Sequence, residues 1–243
     1  MTVHYVFDVD GTLTPSRSEI DREFEKWFYY FTDQNNVYFV TGSDRVKTIE
    51  QIGIPLYFSA KRVYNCSGNE VWEKNKIVRQ NDIRMPIKLL AELKDICSNS
   101  KFPTKTGNHI ETRMGLVNFS TIGRNATKEE RAAYVEFDKI HQERNRIAHD
   151  LSKKFGEYQF QVAGEIGIDI IEKGKDKAQI IKDFDAENDY IVFFGDTTYE
   201  GGNDYPLRKA IEDNKLGTTY QVDGWQHTWE ILEIESWLYR IGV

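Results

Sequence analysis

Residues Val3–Leu13 read VHYVFDVDGTL, an apolar, β-prone run that stops at two carboxylates one residue apart. A short unbroken run of such bulky residues is the pattern of a strand buried on both faces, as at the centre of a parallel sheet. Asp8 and Asp10 then leave its carboxyl end, the edge at which open α/β sheets bind ligands. Gly11 permits the sharp turn that follows. Two carboxylates this close repel one another unless a cation neutralises them or one holds a proton. Magnesium, which takes oxygen ligands and binds phosphates, suits such a pair. Asp and Gly are also ordinary turn formers, and a bare DxD would mean no more than that. The two meanings are separated by whether other strands end the same way.

They do. Val37–Val40 is a second apolar run and closes on Thr41-Gly42-Ser43-Asp44; Tyr190–Phe194 is a third and closes on Gly195-Asp196. Between the first two, the spacing of Phe24, Trp27 and Phe28 predicts a helix from Ile20 to Phe31, and a further helix should run from Asp44 to about Ile52. Ser43 or Asp44 suits its N-cap. From Pro55 to Asp82 short strands with polar interruptions are expected, with a hairpin turn at Lys74-Asn75. The style then changes. A helix at Pro86–Ile96, a polar loop at Asn99–Asn108, a hairpin at Ile110–Ser120 turning at Met114-Gly115, one long charged helix from Thr127 to Phe155, and strands at Tyr158–Val162 and Ile166–Ile171 make an α+β module. The first style returns with a helix at Lys175–Phe184, the third apolar strand, a helix near Asp204–Asp213, a strand near Thr218–Val222 and an amphipathic helix from Trp225 to Tyr239. The expected organisation is a discontinuous α/β core, residues 1–82 and 173–243, with residues 83–172 inserted as a second domain.

With 243 residues, 40% hydrophobic and 29% charged, the chain can bury a substantial core. A formal charge of −7 argues against a general nucleic-acid binder, which needs a basic face. No stretch approaches the ~20 apolar residues of a membrane span. The N-terminus enters a strand without a signal-like region, so the cytoplasm is the expected compartment and no membrane or nucleic-acid partner is expected. Cys66 and Cys97 lack metal-ligand spacing and read as reduced, inert thiols.

Side chains from several parallel strand ends meet at one edge of a sheet. Asp196 would therefore complete a magnesium site with the Asp8 carboxylate and the Asp10 backbone carbonyl. Thr41, or Ser43, would offer a hydroxyl and neighbouring backbone N–H groups to a phosphoryl oxygen. Lys177 would add positive charge there, or else is a solvated lysine in the charged run Glu172–Lys177. In the inserted domain, Thr127-Lys128-Glu129-Glu130 is a capping-box sequence that fixes a helix start. Arg131 lies in the first turn, where a cation opposes the helix dipole; Arg124 precedes it and Arg113 precedes the Met114-Gly115 turn. Three arginines so placed either grip a phosphate or are surface charges on snorkelling stems.

The string DVDGTLT resembles the first motif of the haloacid dehalogenase (HAD) superfamily. Over nearly the whole chain the sequence resembles the eukaryotic-type phosphomannomutase family of that superfamily, through FDVDGTLTPSR, TGSDRVKTIEQIG, RMGLVNFSTIGR with the later EER, GIDIIEKGKDK and FFGDTTYEGGND. The resemblance implies a Rossmann-like HAD core with a parallel sheet and an inserted α+β cap domain of the C2 type. It implies that Asp8 is the nucleophile that becomes a phosphoaspartate, Asp10 the general acid/base, Asp196 a ligand of Mg2+, and Lys177 a contact of the transferring phosphoryl group. Arg17, Arg113, Arg124, Arg131 and Asp169 would hold a hexose phosphate, and two copies would pair through their caps as a homodimer. The implied activity is interconversion of mannose 6-phosphate and mannose 1-phosphate. A sugar-phosphate phosphatase would use the same core residues and let water attack the phosphoenzyme. A non-catalytic sugar-phosphate sensor would have lost one of Asp8, Asp10, Lys177 and Asp196, all of which are present. The chain departs from the family pattern at Gly167, where Ser is usual, at Ser67-Gly68-Asn69-Glu70, where the pattern is Glu-Asn-Gly, and from Tyr205 to Gly217, which does not follow the family's second metal-binding stretch.

Overall fold

The computed structural model describes residues 1–15 and 18–241, so Arg17 lies outside the described residues. Two compact units are resolved by the chain's own contacts, Met1–Gln80 with Gly174–Val243, and Asn81–Lys173.

In the first unit β1 (Thr2–Phe7) is an interior strand of the sheet. β2 (Asn36–Val40) pairs with it in parallel, Phe7 opposite Phe39. The second half of β1 is covered on both faces, Phe7 on one and Val6 on the other, which is why the sequence there is apolar without alternation. α1 (Arg22–Gln34) starts at Asp21, whose carboxylate accepts from Glu23 N at 2.9 Å and Phe24 N at 3.1 Å. It buries Phe24, Phe28 and Phe31, with Phe28 edge-on to Phe7 at 5.0 Å.

α2 (Arg45–Ser59) begins at Asp44, which accepts from Lys47 N at 2.9 Å, and breaks at Gly53, where φ is +78°. The strand expected to follow from Pro55 is instead more helix. Pro55 stands just past the break, where its missing N–H costs nothing and its fixed φ favours a helical start; Leu56 and Tyr57 then point into the core. β3 (Arg62–Asn65) is parallel to β2, and β4 (Glu70–Glu73) and β5 (Lys76–Gln80) complete that edge antiparallel, with Lys74 in the left-handed region at the turn.

The second unit consists of α3 (Ile87–Asn99), β6 (Ile110–Arg113), β7 (Leu116–Phe119), α4 (Lys128–His141), α5 (Glu143–Lys154), β8 (Tyr158–Ala163) and β9 (Gly167–Glu172). Its strands form an antiparallel sheet in the order β6-β7-β9-β8, under a core of Leu89, Leu93, Phe119, Leu151 and Ile170. The single long helix expected from Thr127 to Phe155 is two, divided at Gln142, which is left-handed at φ 50° and ψ 39°. Two buried acids explain the break. The Asp138 carboxylate turns onto the new helix, accepting from Arg144 N at 2.9 Å and Arg144 Nε at 2.8 Å. Glu143 enters the interior, where Tyr134 and Thr121 donate to it at 2.9 and 3.0 Å.

Returning to the first unit, Lys177–Asp183 is a tight 3-10 helix rather than a full α-helix. β10 (Asp189–Gly195) lies parallel to β1, α6 spans Tyr205–Asp213, β11 (Gly217–Gln221) pairs with β10, and α7 spans Trp225–Ile241. The sheet order is β11-β10-β1-β2-β3-β4-β5. Successive residues of the central strands point to opposite faces. Phe7 and Phe194 pack with Phe28 and Leu232 on one side, and Val6 and Phe193 with Ile180, Leu207 and Ile211 on the other. No described helix is long and apolar enough to cross a membrane.

Candidate active site

Asp8 follows the last residue of β1, its backbone N–H donating to the Phe194 carbonyl of β10 at 2.9 Å. That bond ties the two adjacent strand ends together, so the Asp8 and Asp196 side chains emerge at one edge. Asp8 is buried at 2% exposure. Lys177 Nζ donates to its Oδ1 at 2.5 Å and Thr12 Oγ1 to its Oδ2 at 3.3 Å. Lys177 is therefore not a solvated lysine: it is 1% exposed and also donates to Asp204 Oδ1 at 2.7 Å. It is held there by its surroundings. Asp176 caps the 3-10 helix through Ala178 N at 3.0 Å, and Asn69 Nδ2 grips the Lys175 carbonyl at 2.9 Å.

Burial pushes the Asp8 carboxyl up to about 7, with Lys177 pulling it down and Asp204 pushing it further up. Burial likewise raises Asp196, assisted by Asp204. For Lys177, burial favours the neutral amine, but Asp204 and Asp8 outweigh it and the ammonium is strengthened. Asp8, Asp196 and Asp204 each present a carboxylate oxygen, all within 4.8 Å of one another. Three carboxylates facing one ammonium leave an excess of negative charge in a largely dehydrated place. Such an all-oxygen donor set fits a hard divalent cation. Gly11 closes the edge tightly: its φ is +81°, and a Cβ there would stand 2.3 Å from Asp196 Oδ2.

Asp204 has no place in the expected constellation. It follows a glycine-rich turn rather than an apolar strand, so the strand-exit pattern that marks Asp8 and Asp196 is missing. It sits at the start of α6 without capping it, and is held inward by Thr197 N at 3.2 Å and Thr197 Oγ1 at 3.1 Å.

Asp10 is partly exposed, and the donors that reach it include Gln51 Nε2 at 2.8 Å on Oδ1, and Ser43 Oγ at 3.3 Å and Lys47 Nζ at 3.9 Å on Oδ2. Thr41 is buried, its Oγ1 accepting from Ser43 N at 3.0 Å, so Thr41 orders the loop while Ser43 touches the acid.

In the second unit, strand register brings Glu111, Asn118 and Asp169 into one row across β6, β7 and β9. Arg124 Nε pairs with Glu111 at 2.8 Å and Arg113 Nε at 3.2 Å. Hydrogen bonding from Arg113 and the charge of both arginines lower the Glu111 carboxyl. Burial raises Asp169, opposed by the Asn118 amide, which donates to it at 2.6 Å, and by Arg113 and Arg124. Arg131 does not join through its charge. Its guanidinium binds the carbonyls of Ala126 at 3.0 Å and Arg124 at 2.7 Å, tying the loop to a helix start closed by the Thr127–Glu130 capping box. At the departure from the family pattern, a Cβ on residue 167 would meet the Asn118 carboxamide at 2.6 Å, so Gly167 makes room for it. Cys66 and Cys97 are both thiols, with no disulfide among the described residues.

A family model of eukaryotic phosphomannomutases matches residues 24–234. The chain is 33% identical over 210 residues to a phosphomannomutase of Galdieria sulphuraria, covering 83% of each. It is 35% identical over 228 residues to a probable phosphomannomutase of Caenorhabditis elegans, covering 89% of each. Among solved structures, a haloacid dehalogenase-like hydrolase from Bacteroides thetaiotaomicron shares the fold, with a TM-score of 0.54 at 14% identity over 86% of both chains.

Proposed function

The chain belongs to the eukaryotic phosphomannomutase family, and we propose that it moves a phosphoryl group between the 6- and 1-positions of mannose phosphate through a phosphoaspartate on Asp8. The observation that carries this reading is the buried Lys177 joining Asp8 to Asp204, beside Asp196.

Covalent catalysis by a carboxylate divides one hard transfer into two easier ones. Lys177 holds Oδ1 of Asp8 closely while, among the described residues, Oδ2 has only the long Thr12 contact, which favours Oδ2 as the attacking atom. As Oδ2 bonds to phosphorus, the bond from phosphorus to the sugar oxygen breaks, and that oxygen takes a proton from Asp10. In the second half a hexose monophosphate, bound with its free hydroxyl at the opposite position facing the site, gives that hydroxyl proton to Asp10 and attacks the phosphoaspartate, forming the bisphosphate and restoring Asp8. Magnesium held by Asp8, Asp196 and Asp204 would supply charge stabilisation for the phosphoryl oxygens. Lys177 keeps the Asp8 side of the site neutral enough for a phosphate to approach. A mutase handles a bisphosphate, and Arg113 and Arg124 of the second unit would take the phosphate that is not reacting.

The test is incubation of the protein with magnesium and mannose 1-phosphate, with and without a hexose bisphosphate primer, scoring hexose 6-phosphate and free phosphate. Primer-dependent formation of mannose 6-phosphate is expected. Release of phosphate without isomer would make the protein a phosphatase instead.

A further inference from the structure

Gln51 has no part in the chemistry described so far, yet it makes a short hydrogen bond to Asp10. It lies on α2, is only 4% exposed, and donates Nε2–H to Asp10 Oδ1 at 2.8 Å and weakly to Thr14 Oγ1 at 3.4 Å. Its backbone carbonyl accepts from Ile20 N at 2.8 Å, which ties this turn of α2 to the segment leading into α1. The amide oxygen, by contrast, is buried and finds no hydrogen-bond partner among the described residues. Orphaned buried acceptors are uncommon and costly. Leu or Met would fill the same volume without that cost, so packing does not account for a glutamine here. What it supplies is the N–H.

The two oxygens of Asp10 are not equivalent. Oδ1 receives the short bond from Gln51, whereas the groups that Oδ2 faces include Ser43 Oγ at 3.3 Å and Lys47 Nζ at 3.9 Å. An oxygen that already accepts a short amide N–H is the poorer proton carrier, because its lone-pair density is committed to the donor. We infer that Gln51 is a positioning residue that clamps the general acid/base by Oδ1 and so reserves Oδ2 as the oxygen that gives and takes the proton. The clamp fixes both which oxygen works and where it points, and proton transfer tolerates little misplacement. This inference rests on the role of Asp10 proposed above.

The test compares two esters in Gln51→Leu and Gln51→Met. Mannose 1-phosphate leaves a sugar oxygen that must be protonated; p-nitrophenyl phosphate leaves as a stable anion that needs no proton. The expected result is a fall in kcat/KM of roughly 10- to 100-fold for the sugar phosphate, the scale of misdirected proton transfer, with less than about 3-fold loss on the aryl ester, which bypasses the acid. Since both rates come from one preparation, their ratio is independent of how much of the variant folds. Equal losses on both esters, or none on either, overturn the inference. An unaltered enzyme that turns over neither ester fails the functional reading itself, and the inference with it.

Discussion

Lys177 Nζ lies 2.5 Å from Asp8 Oδ1 with both side chains at 3% exposure or less, so the proposed nucleophile is ion-paired in the interior before any phosphate arrives. A buried charge pair is a modest source of stability while intact, but breaking it leaves uncompensated charge. In Lys177→Met the carboxylates of Asp8 and Asp204 face one another without the ammonium. The metal-free variant should lose about 3–5 kcal/mol in urea unfolding, and magnesium should recover part of it by replacing the lost positive charge. An unchanged unfolding midpoint would show that the pair is not coupled to the fold.

Asp204→Asn separates two roles of the same carboxylate. If it helps hold the ion, the magnesium concentration needed for half-maximal activity should rise roughly 10- to 100-fold, with less effect at saturating metal. An unaltered metal requirement with reduced stability would leave Asp204 only its bond to Lys177.

The position of Asp8 makes metal binding depend on pH. In the metal-free fold burial raises its carboxyl to about 7, whereas an unfolded chain releases that proton near pH 4. Between those values the folded state binds the extra proton, so the contribution of Asp8 to stability falls as pH rises. A divalent ion competes with this proton, and its affinity should weaken as pH drops through about 7. Magnesium should therefore raise the melting temperature markedly near pH 8 and little near pH 5.5. The difference should vanish in Asp8→Asn; equal shifts at both pH values would contradict it.

The Arg131 guanidinium binds the carbonyls of Ala126 and Arg124 through Nε and Nη2, so the part proposed for it is to hold the loop that bears Arg124. Arg131→Ala should loosen the loop bearing Arg124 and raise KM for mannose 1-phosphate roughly 10- to 100-fold, the worth of one or two charged hydrogen bonds. Hydrolysis of p-nitrophenyl phosphate, which has no second phosphate to hold, should change by less than about 2-fold by the same reasoning. Comparable losses on both would remove the distal-phosphate role.

The parallel core was legible because buried strands such as Val37–Val40 and Tyr190–Phe194 need no alternation and end where chemistry begins. Asp204 was not, because it reaches the site from a turn and is defined by what it touches. The break at Gln142 was hidden because the helical pattern continues through it; only the burial of Asp138 and Glu143, a tertiary demand, splits the helix. Gly53 shows the converse. The residue marks a real interruption, but Pro55 restarts a helix where a strand was expected. The environment of Lys177 lay beyond the sequence too, since a lysine among charged neighbours reads as solvated until its two carboxylate partners are in view.

Covalent labelling of Asp8 tests the account most directly. The protein, incubated with magnesium and a hexose bisphosphate, is quenched in acid, digested and examined by mass spectrometry. The account predicts one added phosphoryl group on the peptide containing Asp8, labile to hydroxylamine and absent from Asp8→Asn. A phosphoryl group on any other residue, or turnover of the sugar phosphate by Asp8→Asn, would contradict it.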